Sequence, residues 1–228
     1  VAAWAGFKRH DQLFRGIAQA HRQRALSRVA LVGYPSDLNA KDIEQIAIAH
    51  GIDQVIEIHE WLEQGQVADL YRRARMSVLW SRFEGDNRSI VESMLCDTPV
   101  IVRDGHNYGV KHRHINPQTG LYATEAELPQ TIVSVLDEKH TFRPRAYVLR
   151  EHSCQLATAQ LGKKIREVEL AEGKEWTTDL VVKTNYLHGM HYWHAQDEGR
   201  FALDYAFLLE NRRNQQSALA PSDRSSTD

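Results

Sequence analysis

Two carboxylates, Glu84 and Glu92, stand in the stretch Ser81-Arg82-Phe83-Glu84-Gly85-Asp86-Asn87-Arg88-Ser89-Ile90-Val91-Glu92, between apolar runs at residues 76–80 and 99–102. Short apolar runs bounded by turn signals suit buried parallel strands, and the residues between them read as a turn and then a helix capped at Asp86 or Asn87. Seven residues separate the two glutamates. One carboxylate therefore stays by the end of the first strand while the other lies one or two turns into the helix, whose N-terminus is open to an anion between them. Ionised carboxylates accept hydrogen bonds from paired hydroxyls. The stretch thus suits a phosphorylated, hydroxyl-rich ligand. A plainer account serves the same spacing: Glu84 is a solvated turn residue and Glu92 is an i,i+4 ion-pair partner of Arg88.

The elements that must position these residues alternate along the chain. Strand-like runs at residues 1–5, 28–33, 54–58, 76–80 and 99–102 are interleaved with helical periodicity: around Leu13, Ile17 and Ala18, over residues 40–50, and over residues 125–136. Such alternation predicts an α/β, Rossmann-like domain over residues 1–152, a parallel sheet with helices on both faces. Ligands of open parallel sheets bind outside the carboxyl ends of the strands. Lys8 follows the first strand, Gly33 the second, residues 59–61 the third, Glu84 the fourth and residues 103–106 the fifth.

Beyond residue 150 the pattern changes. Residues 153–170 read as a long helix ending near Gly173, residues 197–212 as another, and residues 176–193 as irregular, which makes 153–214 a mainly helical, aromatic-rich extension. Residues 215–228, rich in Ser, Asp and Pro, read as a disordered tail. His188, His191 and His194 are spaced three apart and on a continuous helix could face one metal. Gly189 interrupts that helix, no carboxylate or cysteine completes the set, and the aromatic neighbours fit interface packing instead.

Composition narrows the classes. A chain of 228 residues with 42% apolar and 25% charged residues is one large domain, or one domain with an extension, of an ordinary globular protein. With 28 basic against 30 acidic residues and no basic stripe, nucleic acid is excluded as a partner. Cys96 and Cys154 lie far apart without metal-like spacing, so both are expected to be reduced and structural, and the protein cytoplasmic. No run approaches the length of a membrane span, so any membrane contact is expected to be peripheral. The opening Val-Ala-Ala-Trp, without Met, suggests a piece of something longer.

Five pieces of the sequence carry a resemblance. Residues 6–14, Gly-Phe-Lys8-Arg-His-Asp-Gln-Leu-Phe, look like an Arg-Lys-Gly opening; residues 28–33 look like a second strand; residues 67–74 contain Leu70-Tyr71 and Ala74 in an "LY-x-x-A" helix. Thr119-Gly120-Leu121-Tyr122 corresponds to a "TGLL" turn after the fifth strand, and the two-glutamate stretch lies between in the right order. Over residues 1–150 the chain resembles the carboxyl-terminal, donor-binding half of retaining GT-B glycosyltransferases (family 4, glycosyl transferases group 1), typified by sucrose, mannosyl and glycogen synthases.

The resemblance implies transfer of a hexose-type sugar from a nucleoside diphosphate sugar to an acceptor, with retention at the anomeric carbon. Lys8 matches the lysine that contacts the diphosphate and Glu84 the glutamate near the donor sugar, and these two are the expected catalytic residues. Glu92 matches the acceptor of the ribose hydroxyls. Gly33, Gly85 and the amides of Asn87, Arg88 and Ser89 are expected around the nucleotide sugar, and Trp61 with the backbone of Glu60 at the nucleobase; a buried core tryptophan is the competing view of Trp61. No metal or other cofactor is implied. Two departures stand out. Ala2 replaces a frequent arginine, so Arg9 or Arg88 would supply that charge, and Asp86-Asn87-Arg88 replaces an aromatic and a glycine, which leaves the sugar open. The implied partner is an amino-terminal domain with a glycine-rich loop and the acceptor site, through which membrane contact would come. Two other outcomes remain: a GT-B-like regulatory or partner-binding module without catalysis, and a nucleotide-sugar epimerase. Lys8, Glu84 and Glu92 standing together favour the transferase.

Overall fold

In the computed structural model β1 (Ala2–Trp4), α1 (His10–Gln23), β2 (Val29–Pro35), α2 (Ala40–His50) and β3 (Ile56–Glu60) alternate, and their strands pair in parallel in the order β1-β2-β3. Residues 2–105, 107–108, 114–186 and 189–219 are described. The chain continues through α3 (Gln64–Arg73), β4 (Ser77–Leu79), β5 (Phe83–Glu84), α4 (Arg88–Leu95), β6 (Val100–Arg103), β7 (Asn107–Tyr108), β8 (Gly120–Ala123), α5 (Leu128–Leu136) and α6 (Pro144–Glu151). A second parallel sheet runs β4-β6-β8, and β5 pairs with β7.

Alternation along β6 shows why helices cover both faces. Ile101 joins a buried cluster with Trp4, Phe14, Ile43, Trp80 and Leu128, which brings both sheets together with α1, α2 and α5. Val100 and Val102 point the other way, into a cluster with Ile90 and Met94 of α4 and Val148 of α6. A strand apolar on both faces is what a doubly covered parallel sheet requires. These elements form one compact unit, Val1–His152, and Ser153–Asp228 form a second.

Several boundaries differ from the sequence expectation. β3 starts two residues later than expected and includes His59 and Glu60, because Ile56 and Ile58 pair with Val29 and Leu31 of β2. Residues 120–122 are not a turn after the fifth strand but the start of β8, paired with β6. Gly120 is required there by proximity, since a Cβ would lie 2.1 Å from the Val100 carbonyl oxygen.

In the second unit Ser153 caps α7 (Cys154–Ala171), its hydroxyl accepting from the Leu156 amide. The region expected to be irregular holds an antiparallel hairpin, β9 (Lys183–Tyr186) with β10 (Gly189–Tyr192). The last helix, α8 (Ala202–Leu219), begins later than expected and extends past residue 215, where the tail was expected to start; residues 220–228 lie outside the described residues. His191 is on β10 and His194 precedes a 3-10 turn, Ala195–Asp197, so the helix that would align the histidines does not form, while His188 lies outside the described residues. Among the described residues no helix is long and apolar enough to cross a membrane.

Candidate functional site

Lys8 ends a 3-10 turn, Gly6–Lys8, directly after β1. The Phe7 carbonyl accepts from the Arg82 amide at 2.7 Å, which ties this turn to the segment leaving β4. Across that junction the Lys8 Nζ donates to Glu84 Oε1 at 2.5 Å, and the hydroxyl of fully buried Ser81 donates to the same oxygen at 2.5 Å. Phe7 stacks on Phe83 with ring centroids 4.6 Å apart, and Lys8 Nζ lies 4.8 Å from the Phe7 ring. The Lys8 and Glu84 side chains are each only 12% exposed, so neither is a solvated surface charge. Glu84 is not on a turn. It belongs to β5, where the pairing of Glu84 with Tyr108 fixes its backbone.

Arg9 follows with φ 59°, a left-handed conformation that costs a non-glycine residue about 1–2 kcal/mol. Its guanidinium donates to Glu125 at 2.6 Å, so its charge is engaged away from the Lys8–Glu84 pair. His10 comes next, 6% exposed, with no hydrogen-bond partner at Nδ1 among the described residues. Burial, assisted by nearby positive charge including Lys8, lowers its pKa from 6.5 to about 4. The unfolded chain therefore takes up this proton first as pH falls. The native state keeps the full contribution above the unfolded value of 6.5 and loses it between 6.5 and about 4. That interval corresponds to about 3 kcal/mol. His10→Leu is expected to flatten the fall in urea-unfolding stability between pH 7 and pH 4.5, and an unchanged slope would remove His10 as its source.

Asn87, rather than Asp86, caps α4. Its Oδ1 accepts from the Ser89 amide at 3.0 Å and from the Ser89 hydroxyl at 2.6 Å. The Ser89 amide is thus engaged by the cap, and an anion at this end would compete with Asn87 for it. Glu92 is exposed on α4, and its charge lies close enough to the Tyr71 phenol to affect it. Burial first, and Glu92 second, push the Tyr71 hydroxyl well above its ordinary pKa; that hydroxyl donates to the Ser89 carbonyl at 3.4 Å. Arg88 is exposed, and among the described residues its guanidinium makes no ion pair with Glu92. Gly85 is exposed, with nothing within 4 Å of where its Cβ would be.

Gly33 lies within β2 rather than after it. A Cβ there would stand 2.1 Å from the Ala2 carbonyl oxygen and 2.5 Å from Trp4 Nε1, so close approach of β1 dictates glycine. Gly33 pairs with exposed Glu60, and the Trp61 amide donates to the Gly33 carbonyl at 3.1 Å. Trp61 is 69% exposed with φ 54°, so it is not a core tryptophan. Its ring stacks on Tyr34 at 5.0 Å. Lys8 after β1, Trp61 after β3 and the residues from Ser81 to Glu84 after β4 all lie at carboxyl ends of parallel strands. Sequence reasoning passes over Ser81, Phe7, Phe83 and Tyr34 as site residues. Their only signal is position, each being within three residues of a named one or on the strand beside it.

The sequence pattern of the glycosyl transferases group 1 family matches residues 2–138, more than half of the 228. Sucrose-phosphate synthase from Thermosynechococcus elongatus superposes with a TM-score of 0.61 at 20% identity, over 75% of this chain and 45% of that one. The C-terminal domain of a group 1 glycosyl transferase from Francisella tularensis gives 0.58 at 16% identity, over 67% of this chain and 84% of that one. Anabaena HepE in complex with UDP gives 0.59 at 17%, over 73% and 48%. No curated protein sequence matches significantly. At these identities the structural likeness speaks for the fold, and this chain spans less than half of the synthase and of HepE but most of the isolated C-terminal domain. The sequence match and the fold agree, and the chain belongs to the glycosyl transferases group 1 family as a domain of GT-B type.

Proposed function

We propose that this chain is the donor-binding half of a retaining glycosyltransferase, holding a nucleoside diphosphate sugar at the carboxyl edge of its strands while an amino-terminal domain presents the acceptor. The observation that carries this reading is the part-buried meeting of Lys8 and Glu84, residues 76 positions apart, beside the capped start of α4. When the bond from the anomeric carbon to the diphosphate breaks, both electrons leave with a phosphate oxygen. Lys8 stabilises the charge that develops there; an ammonium has three protons, and Glu84 takes one. At an effective dielectric near 20, a lysine about 4 Å from a phosphate oxygen contributes on the order of 4 kcal/mol. Glu84, held from below by the buried Ser81 hydroxyl, faces the donor sugar, the exposed Glu92 carboxylate accepts from the ribose hydroxyls, and the Trp61–Tyr34 pair offers an aromatic surface to the base. The second unit exposes Met190, Trp193, Leu203 and Phe207, apolar surface suited to cover by the amino-terminal domain.

UDP, the ligand of the Anabaena structure, is the first nucleotide to test. Calorimetry in chelator is expected to show binding of UDP or GDP, since Lys8 and the start of α4, where a phosphate would displace Asn87 Oδ1 from the Ser89 amide, supply the phosphate contacts of this reading. Glu92→Ala is expected to weaken it by about 1.5–3 kcal/mol, the worth of a hydrogen bond to a charged acceptor. Wild-type affinity in a variant that unfolds at the same urea concentration would remove Glu92 from the ribose site.

A further inference from the structure

Among the described residues, the first amide of the turn that carries Lys8 finds its partner outside its own segment. Ala5, which precedes the Gly6–Lys8 turn, is extended at φ −118° and ψ 151° and supplies no side-chain cap. The Gly6 N–H donates instead to Asp37 Oδ2 at 2.9 Å, across 31 positions of sequence, which satisfies an amide that a short turn leaves orphaned. Asp37 belongs to the loop between β2 and α2, and that loop is itself pinned to the end of β1. The Leu38 amide donates to the Trp4 carbonyl at 2.9 Å, and the Ser36 amide to the Leu38 carbonyl at 3.1 Å. The bonds to Trp4 and Gly6 therefore straddle buried Ala5, one on each side.

The same loop leads back to the aromatic surface. Tyr34 and Pro35 at the end of β2 pair with Ala3 and Trp4 of β1, and the Tyr34 ring stacks on Trp61 at 5.0 Å. Residues 34–38 thus carry one half of an aromatic pair at one end and the cap of the Lys8 turn near the other. Two other ties hold that turn: the Phe7–Arg82 backbone bond, which no side-chain substitution deletes, and the Arg9–Glu125 ion pair, which acts one residue after Lys8. On the donor-binding reading, on which this inference rests, the base lies on the Trp61–Tyr34 pair and the diphosphate at Lys8, so one nucleoside diphosphate spans both. We propose that Asp37 is the positioning residue that sets this span, its bond to Gly6 fixing Lys8 at the distance from the aromatic pair that a nucleoside diphosphate bridges. Two subsites joined by a ligand of fixed length reinforce each other only when their spacing matches it. A ligand confined to one of them does not sense the spacing.

The test compares UDP, which reaches both places, with uridine and inorganic pyrophosphate, which each reach one. Asp37→Asn keeps an oxygen for the Gly6 amide, whereas Asp37→Ala leaves that amide without it. Both variants lose the charge, so the difference between them isolates the hydrogen bond. Asp37→Ala is expected to bind UDP about tenfold more weakly than Asp37→Asn by calorimetry, while uridine and pyrophosphate, titrated by NMR, bind the two within about twofold of each other. Equal UDP affinity in the two variants would overturn the proposal, including the case in which both bind more tightly than wild type because only a repulsive carboxylate was removed. A parallel loss of all three ligands in Asp37→Ala, with a lowered urea midpoint, would also overturn it and make Asp37 a support of the fold alone. Absence of UDP binding to the wild-type chain would instead overturn the donor-binding reading, and the role of Asp37 with it.

Discussion

Lys8→Met is expected to lower affinity for UDP by about tenfold to a hundredfold while leaving uridine binding nearly unchanged, because the lost contact is a charged hydrogen bond worth about 1.5–3 kcal/mol. The single substitution does more than remove that contact. It leaves the Glu84 carboxylate, 12% exposed, without its cation. Breaking one side of a largely buried pair costs about 3–5 kcal/mol of stability, and the remaining negative charge also repels a diphosphate. Lys8→Met with Glu84→Gln separates the effects. Ser81 can still donate to the amide oxygen, so stability should largely return, but the phosphate contact is still missing. Calorimetry and urea unfolding on the same three proteins decide the matter. If the double variant recovers wild-type UDP affinity, Lys8 serves only to neutralise Glu84. In a protein that also carries the acceptor domain, loss of Lys8 should lower kcat by about a hundredfold to a thousandfold, the effect of deleting a donor aimed at a developing oxyanion.

The alternation of strands and helices through residue 103 is legible in the sequence because the inner strands are apolar on both faces, as with Val100, Ile101 and Val102. The residue types at the site are legible as well. Their partners are not: that Lys8 meets Glu84 depends on the Phe7–Arg82 backbone bond between segments far apart in the chain. A glycine marks a turn on most occasions, and Gly120 reads that way, yet in β8 it is selected by the nearness of the Val100 carbonyl, a contact that local sequence does not encode. Trp61 reads equally well as core or as ligand platform, and only its positive φ and its neighbour Tyr34 decide for an exposed position. The hairpin of β9 and β10 escapes notice because the residues between its strands, Leu187 and His188, are not the Asn-Gly or Asp-Gly pair that marks a tight connection. Arg9 hides for the opposite reason: its left-handed backbone belongs to a glycine position, and the Glu125 ion pair holds a larger residue there.

The isolated 228 residues are expected to bind donor and yet transfer no sugar to an acceptor. Holding two reactants in line contributes roughly 7–11 kcal/mol to lowering a barrier, and that term requires an acceptor fixed against the donor. Lys8, Trp61 and residues 81–84 lie at the carboxyl ends of strands in the first unit, and the chain spans 45% of the length of sucrose-phosphate synthase. On the proposed reading the acceptor surface belongs to the other half. Mass spectrometry of mixtures of donor, chain and candidate acceptors is the direct measurement. Hydrolysis of the donor needs only water and does not bear on the question, whereas a glycosylated acceptor would refute the expectation. Supplying the amino-terminal half of the same protein should then restore transfer, and Lys8→Met should abolish what is restored. Transfer by the chain alone would instead place the acceptor site within these residues, with the exposed apolar surface at Met190, Trp193 and Phe207 of the second unit as the first place to look for it.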